Sequence, residues 1–220
     1  MPASALPFSL AAALTVAVLL TGCGGPEIPL ADPPQFSDEA PMQTALSSVP
    51  PIPAAEHVFL APRAAYQLDA LVMSRKGYDG LITGDELGHV VPVDLALAWG
   101  RAARPDAQAV LTIRQSGRWF HWRYPGGVSL PVPTSELVRT MANVHIIPAD
   151  VFQADAIARV EAGRCYRFGG TLVDIESENP RLVRRTSLTR ADSGAGACEI
   201  FRVERVEELD CPTKLAADPN

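Results

Sequence analysis

The chain has 220 residues, 47% of them hydrophobic, and a formal net charge of −6. That length fits one folded domain of ordinary size plus a tail. Glu27, Asp32, Asp38, Glu39 and Glu56 carry most of the charge imbalance. The rest is close to neutral and has no long-range field to draw in polyanions, which argues against nucleic acid as a partner.

Phe8 to Leu20 is uncharged and mostly apolar. A helix needs ~20 residues to cross a bilayer, so this run fits a removable signal segment better than a membrane span. It ends in Leu20-Thr21-Gly22-Cys23, which resembles the lipobox of bacterial lipoproteins. The resemblance covers residues 1–23 and implies that residues 1–22 are removed and that Cys23 carries lipid, giving a membrane partner. Met1 to Pro7 holds no Lys or Arg, a departure from the family's pattern. Gly24 stands where an Asp would signal inner-membrane retention. In a Gram-negative cell the resemblance therefore implies the outer membrane, periplasmic side, and otherwise the cell membrane.

From Gly24 to Ala55 prolines recur (Pro26, Pro29, Pro33, Pro34, Pro41, Pro50, Pro51, Pro53) and large apolar residues show no period. Proline removes donors and favours extended chain. Residues 23–56 are therefore expected as lipidated Cys and disordered tether, and residues 57–220 as one globular domain.

Within that domain, Tyr66, Leu68, Ala70 and Val72 alternate as in a strand. Arg75 to Gly80 reads as a turn and Gly84 to His89 as a polar loop. Leu95 to Trp99 reads as a short helix, with Asp94 at its N-cap and Gly100 after it. Ala109–Ile113 and Arg118–Tyr124 form a hairpin around Gln115-Ser116-Gly117. Thr134 can cap a helix over Ser135 to Met141. Asp150 and Gln153 make a capping box for a better-specified helix that Gly163 stops. Tyr166 to Asp174, Leu182 to Leu188 and Glu199 to Val206 read as three antiparallel strands. The expected fold is α+β: an antiparallel sheet, able to curl into a small barrel, packed by two or three short helices.

Cys165, Cys198 and Cys211 cannot all pair with one another. In a simple meander the strands holding Cys165 and Cys198 stand ~9.5 Å apart, whereas a disulfide needs Cα atoms within ~7 Å. Cys211 lies past the far end of the last strand, so the pairing stays open and at least one cysteine is free or bonds another molecule.

The segments Pro92–Gly100, Asn143–Ala149 and Ser187–Glu199, with Arg118-Trp119, resemble an uncharacterised family of exported bacterial proteins. The likeness runs roughly from Tyr66 to Val206; it implies a shared fold and supplies no activity.

Cys198 and His145 can form a thiol–imidazole pair with Asp192 orienting the ring. The flanking sequences match no Cys-hydrolase signature, and the plain alternative is a buried or oxidised cysteine. The candidate ligand site is His145, Arg190, Asp192 and Glu199, against the alternative of a loop whose charges satisfy one another. His57, His89, His121 and His145 are too scattered for a metal site, and Asp85, Glu86 and His89 form no known ligand motif. No cofactor is implied, since Gly194-x-Gly196 lacks the following helix of a phosphate site. The Trp119–Tyr124 strand suits core packing more readily than sugar stacking. The first expectation is a lipid-anchored binding or structural domain with an envelope protein or cell-wall component as partner. The alternative is a tethered hydrolase using His145 with Cys198 or Asp192.

Overall fold

The computed structural model describes residues 35–78, 86–192, 194 and 197–212. The signal-like segment, Cys23, the first part of the expected tether and the turn at Asp79-Gly80 lie outside them. Nine strands and three short helices are present among the described residues. The strands are β1 (Met42–Ala45), β2 (Ile52–Ala55), β3 (Val58–Gly77), β4 (Val93–Ala98), β5 (Thr112–Ser116), β6 (Trp119–Arg123), β7 (Met141–Pro148), β8 (Cys165–Ser177) and β9 (Glu199–Leu209). The helices are α1 (Pro105–Val110), α2 (Thr134–Thr140) and α3 (Val151–Ala158). The architecture is mixed: one large sheet and a separate β5–β6 hairpin.

β3 organises the sheet. It has 20 residues, long enough to take β8 along one edge and β2, β1 and β4 in succession along the other. The ladder continues β4–β7–β9–β8, and β8 returns to β3, so five strands close into a ring. Strand alternation turns Tyr66 and Leu68 of β3, Leu95 and Leu97 of β4, Val144 of β7, Phe168 of β8 and Phe201 of β9 into one interior cluster. Ile157 of α3 packs into the same cluster. Asp150 caps that helix as expected, accepting from the Gln153 amide at 2.9 Å.

The long β8–β9 pairing requires one glycine. At Gly170 the register slips, and a Cβ there would run into the carbonyl oxygen of Arg202.

Several expectations are corrected. The sheet is not wholly antiparallel, because β7 and β9 run parallel. Leu95 to Trp99 is no helix: β4 is buried along its whole length, and burial on both faces hides the period that separates strand from helix. Asp94 is therefore not an N-cap. Leu182 to Leu188 is no strand. β8 already has β3 on one edge and β9 on the other, which leaves only an isolated bridge, Ile175 to Arg184. Thr134 begins α2 without capping it.

The expected tether is ordered from Gln35 onward. β1 and β2 lie on an edge of β3, where a proline such as Pro53 costs little. Asp69 clasps this segment to the body, accepting from the Ser37 amide at 2.9 Å while Arg167 grips its carboxylate with two bonds.

Because β8 and β9 are direct neighbours, the start of one meets the end of the other. Cys165 stands opposite Leu209, and a Cys165–Cys211 disulfide closes with its Cα atoms 5.2 Å apart. This fixes a pairing that the sequence left open and leaves Cys198 as the free cysteine among the described residues.

Candidate functional site

The ring's outer face carries the polar cluster. Since Leu95 and Leu97 point inward, Asp94 points outward, directly opposite His145 of β7 in the β4–β7 register. The Asp94 side chain is wholly buried. A buried carboxylate is costly unless bonded on all sides, and the Tyr78 hydroxyl bonds it together with three further residues. Arg118 Nη1 donates to Oδ1 at 3.0 Å, Asn143 Nδ2 donates to Oδ2 at 3.3 Å, and His145 Nδ1 lies 2.8 Å from Oδ1.

Arg118 arrives from the turn of the β5–β6 hairpin. Gly117 and Arg118 have φ of 54° and 66°, the two left-handed residues of a tight hairpin turn. For arginine that conformation costs about 1 kcal/mol or more. The contacts it makes offset this: the Arg118 amide donates to Tyr78 Oη at 3.1 Å, and its guanidinium donates to the Val91 carbonyl at 2.8 Å and stacks 3.7 Å over the Tyr78 ring. Gln115 of the same hairpin donates to Asn143 Oδ1 at 2.7 Å, which aims the Asn143 amide at Asp94.

β9 completes the site from the other side. Its parallel register sets Ile200 beside His145, and alternation puts Cys198 on the same outer face. His145 thus stands between Asp94 and Cys198, beside which it lines one cavity. Burial opposes charge on the imidazole, but its interactions with Asp94 and Cys198 outweigh that and push its pKa up to about 9. Cys198, His145 and Asp94 thus form a line: a thiol, an imidazole held charged, and a buried carboxylate that fixes the ring.

Two cavities open on this line. The first, of about 300 Å³, is lined by Leu87, Arg118, Trp119, His145, Arg184 and Cys198 among others. The second, of about 210 Å³, is lined by Trp119, Phe120, Trp122, Met141, Arg190 and Cys198 among others.

The four residues expected as one ligand site divide. His145 belongs to the outer-face line. Glu199 follows Cys198 and shares a face with Phe201 and Val203, so it points the other way and is buried. It pairs with Arg190. Arg190 Nη2 also donates to Ser187 Oγ at 3.3 Å, and that hydroxyl donates to Asp192 Oδ2 at 2.7 Å. Asp192 is therefore engaged with Ser187, and the carboxylate that orients His145 is Asp94. Arg190 and Asp192 do line the second cavity.

Asp94, Arg118 and Asn143 were not legible as site residues in the sequence. The usable signal was an acid inside the apolar run Val90 to Trp99, which makes sense only if a buried partner meets it. The chain matches no family model, no curated protein and no solved structure.

Proposed function

We propose that the protein is a lipid-anchored envelope enzyme whose folded domain transfers acyl groups to water through Cys198. The observation that carries this reading is that Cys198 and His145 line one cavity while Asp94 holds the His145 ring from behind. A thiol beside a charged imidazole is a nucleophile at neutral pH. The Cys198 sulfur attacks the carbonyl carbon of an ester, and His145 gives its proton to the departing oxygen as the carbon–oxygen bond breaks. This leaves a thioester on Cys198. Neutral His145 then takes a proton from water, whose oxygen attacks the same carbon, releasing the acid and restoring the pair. Asp94 is a positioning residue that keeps the ring oriented and stabilises its charged form.

We read the closed five-strand ring as a small filled barrel. Its order, with α3 between the third and fourth ring strands and the third and fifth parallel, is that of an OB-fold. In that architecture ligands cross the face of the second and third strands, here β4 and β7. The fold alone assigns no chemistry. The lipobox supports an anchor at Cys23, and the outer membrane facing the periplasm if the cell is Gram-negative.

One observation favours a second reading, a binding domain for an envelope protein or cell-wall component. Trp119 is 46% exposed at the rim of both cavities, as a stacking platform would be. Iodoacetamide alkylation at pH 7 separates the two. The enzyme reading expects Cys198 to react at least about tenfold faster in the wild type than in His145→Ala. Equal rates would leave the binding reading.

A further inference from the structure

Cys198 stands where the two cavities meet, and the cavities differ in chemistry. Cys198 and Trp119 line both. His145, Arg118, Arg184 and Arg185 line the first and not the second. Phe120, Trp122, Val138 and Met141 line the second and not the first. We infer that the substrate is an ester joining an apolar acyl group to an anionic alcohol, with the alcohol in the first cavity and the acyl group in the second. This rests on the acyl-transfer reading of Cys198 and deepens it.

The proton sets the direction. The departing oxygen takes its proton from His145, and His145 faces the first cavity only. The leaving group must therefore lie there, and the acyl group left on sulfur takes the other side. The first cavity then selects for charge. His145 and Arg118 both bond the carboxylate of Asp94. Arg185 is held by Asp174 at 2.7 Å. Arg184 donates to the backbone carbonyls of Arg181 and Val183, at 2.7 and 2.8 Å, and has no acidic partner among the described residues. Its guanidinium is planar with five donors, so an anion can be held there by a charge-assisted bond. In the second cavity Arg190 is engaged by Glu199 and Asp192 by Ser187, so the surface presented to a ligand is mainly the aromatic and aliphatic wall.

The test uses hexanoyl esters of 4-hydroxy-3-nitrobenzoate, which is anionic, and of the matching benzamide, which is neutral; both release a coloured phenolate. The wild type is expected to favour the anionic ester by about tenfold or more in kcat/KM, as one charge-assisted bond provides. Arg184→Gln should bring the two esters to within about twofold, and Arg184→Lys should recover part of the preference. Val138→Asp, at an exposed wall position of the second cavity, should lower turnover of the hexanoyl ester relative to the acetyl ester. Cys198-dependent turnover with no preference between the esters, or a preference that Arg184→Gln leaves intact, would overturn the substrate assignment while the acyl-transfer reading stood. If neither ester acylates Cys198, both fall.

Discussion

Asp94 and His145 face each other across neighbouring strands, with Oδ1 and Nδ1 2.8 Å apart and the carboxylate sealed from water. The same oxygen accepts from Arg118 at 3.0 Å, so one buried carboxylate orients the imidazole and anchors the hairpin that covers it. Stability and reactivity are therefore coupled through Asp94. Asp94→Asn keeps the shape and removes the charge. It should cost about 3 kcal/mol, because it removes the buried charge that both Arg118 and His145 bond. The His145 pKa should fall from about 9 toward its ordinary value. Urea unfolding and an NMR titration of the imidazole measure the two effects separately.

His145 also makes stability depend on pH. Its pKa is about 9 when folded, against the ordinary 6.5. Its contribution is complete below about pH 6.5, is lost as pH rises through 9, and is on the order of 3 kcal/mol over that window. Unfolding free energies at pH 6, 7.5 and 9.5 should fall accordingly in the wild type. His145→Gln should flatten the slope, whatever its own stability.

Of the cysteines after Cys23, one should react with thiol reagents in the native protein and three after unfolding with reductant. Reducing Cys165–Cys211 opens a loop with a sequence separation of 46. By chain entropy that should cost about 4 kcal/mol, seen as a lower midpoint in urea. Cys198→Ala should leave no reactive thiol in the native domain and the same reductant effect.

Chains beginning at Gln35 and at Val58 should differ in melting temperature. A chain beginning at Val58 should melt lower, because it bares the β3 edge covered by β1 and β2 and loses the Ser37–Asp69 bond. Equal melting of the two would mean that the segment 35–57 adds nothing to the fold.

For the anchor, Cys23→Ser should abolish palmitate labelling and release the protein from membranes. Normal labelling of that variant would remove the lipoprotein reading.

Local signals carried part of the architecture. The β5–β6 hairpin, the Asp150 cap and the alternation of Tyr66 to Val72 and of Tyr166 to Leu172 depend on residues near one another, and each was legible. The site depends on two features that local patterns do not encode. One is the parallel β7–β9 pairing, which sets Cys198 beside His145 although 52 residues intervene in the sequence. The other is burial of β4 on both faces, which made Leu-Ala-Leu-Ala read as helix and disguised Asp94 as a cap. The expected meander failed for a long-range reason too, since β9 occupies the edge assigned to Leu182–Leu188.

The most direct measurement is the intact mass of the folded domain after brief exposure to an excess of hexanoyl ester and acid quench. The account predicts a single added hexanoyl group on Cys198. It should build up more slowly in His145→Ala and be absent in Cys198→Ala. No adduct on Cys198 in the wild type, or an adduct formed equally fast without His145, would contradict it.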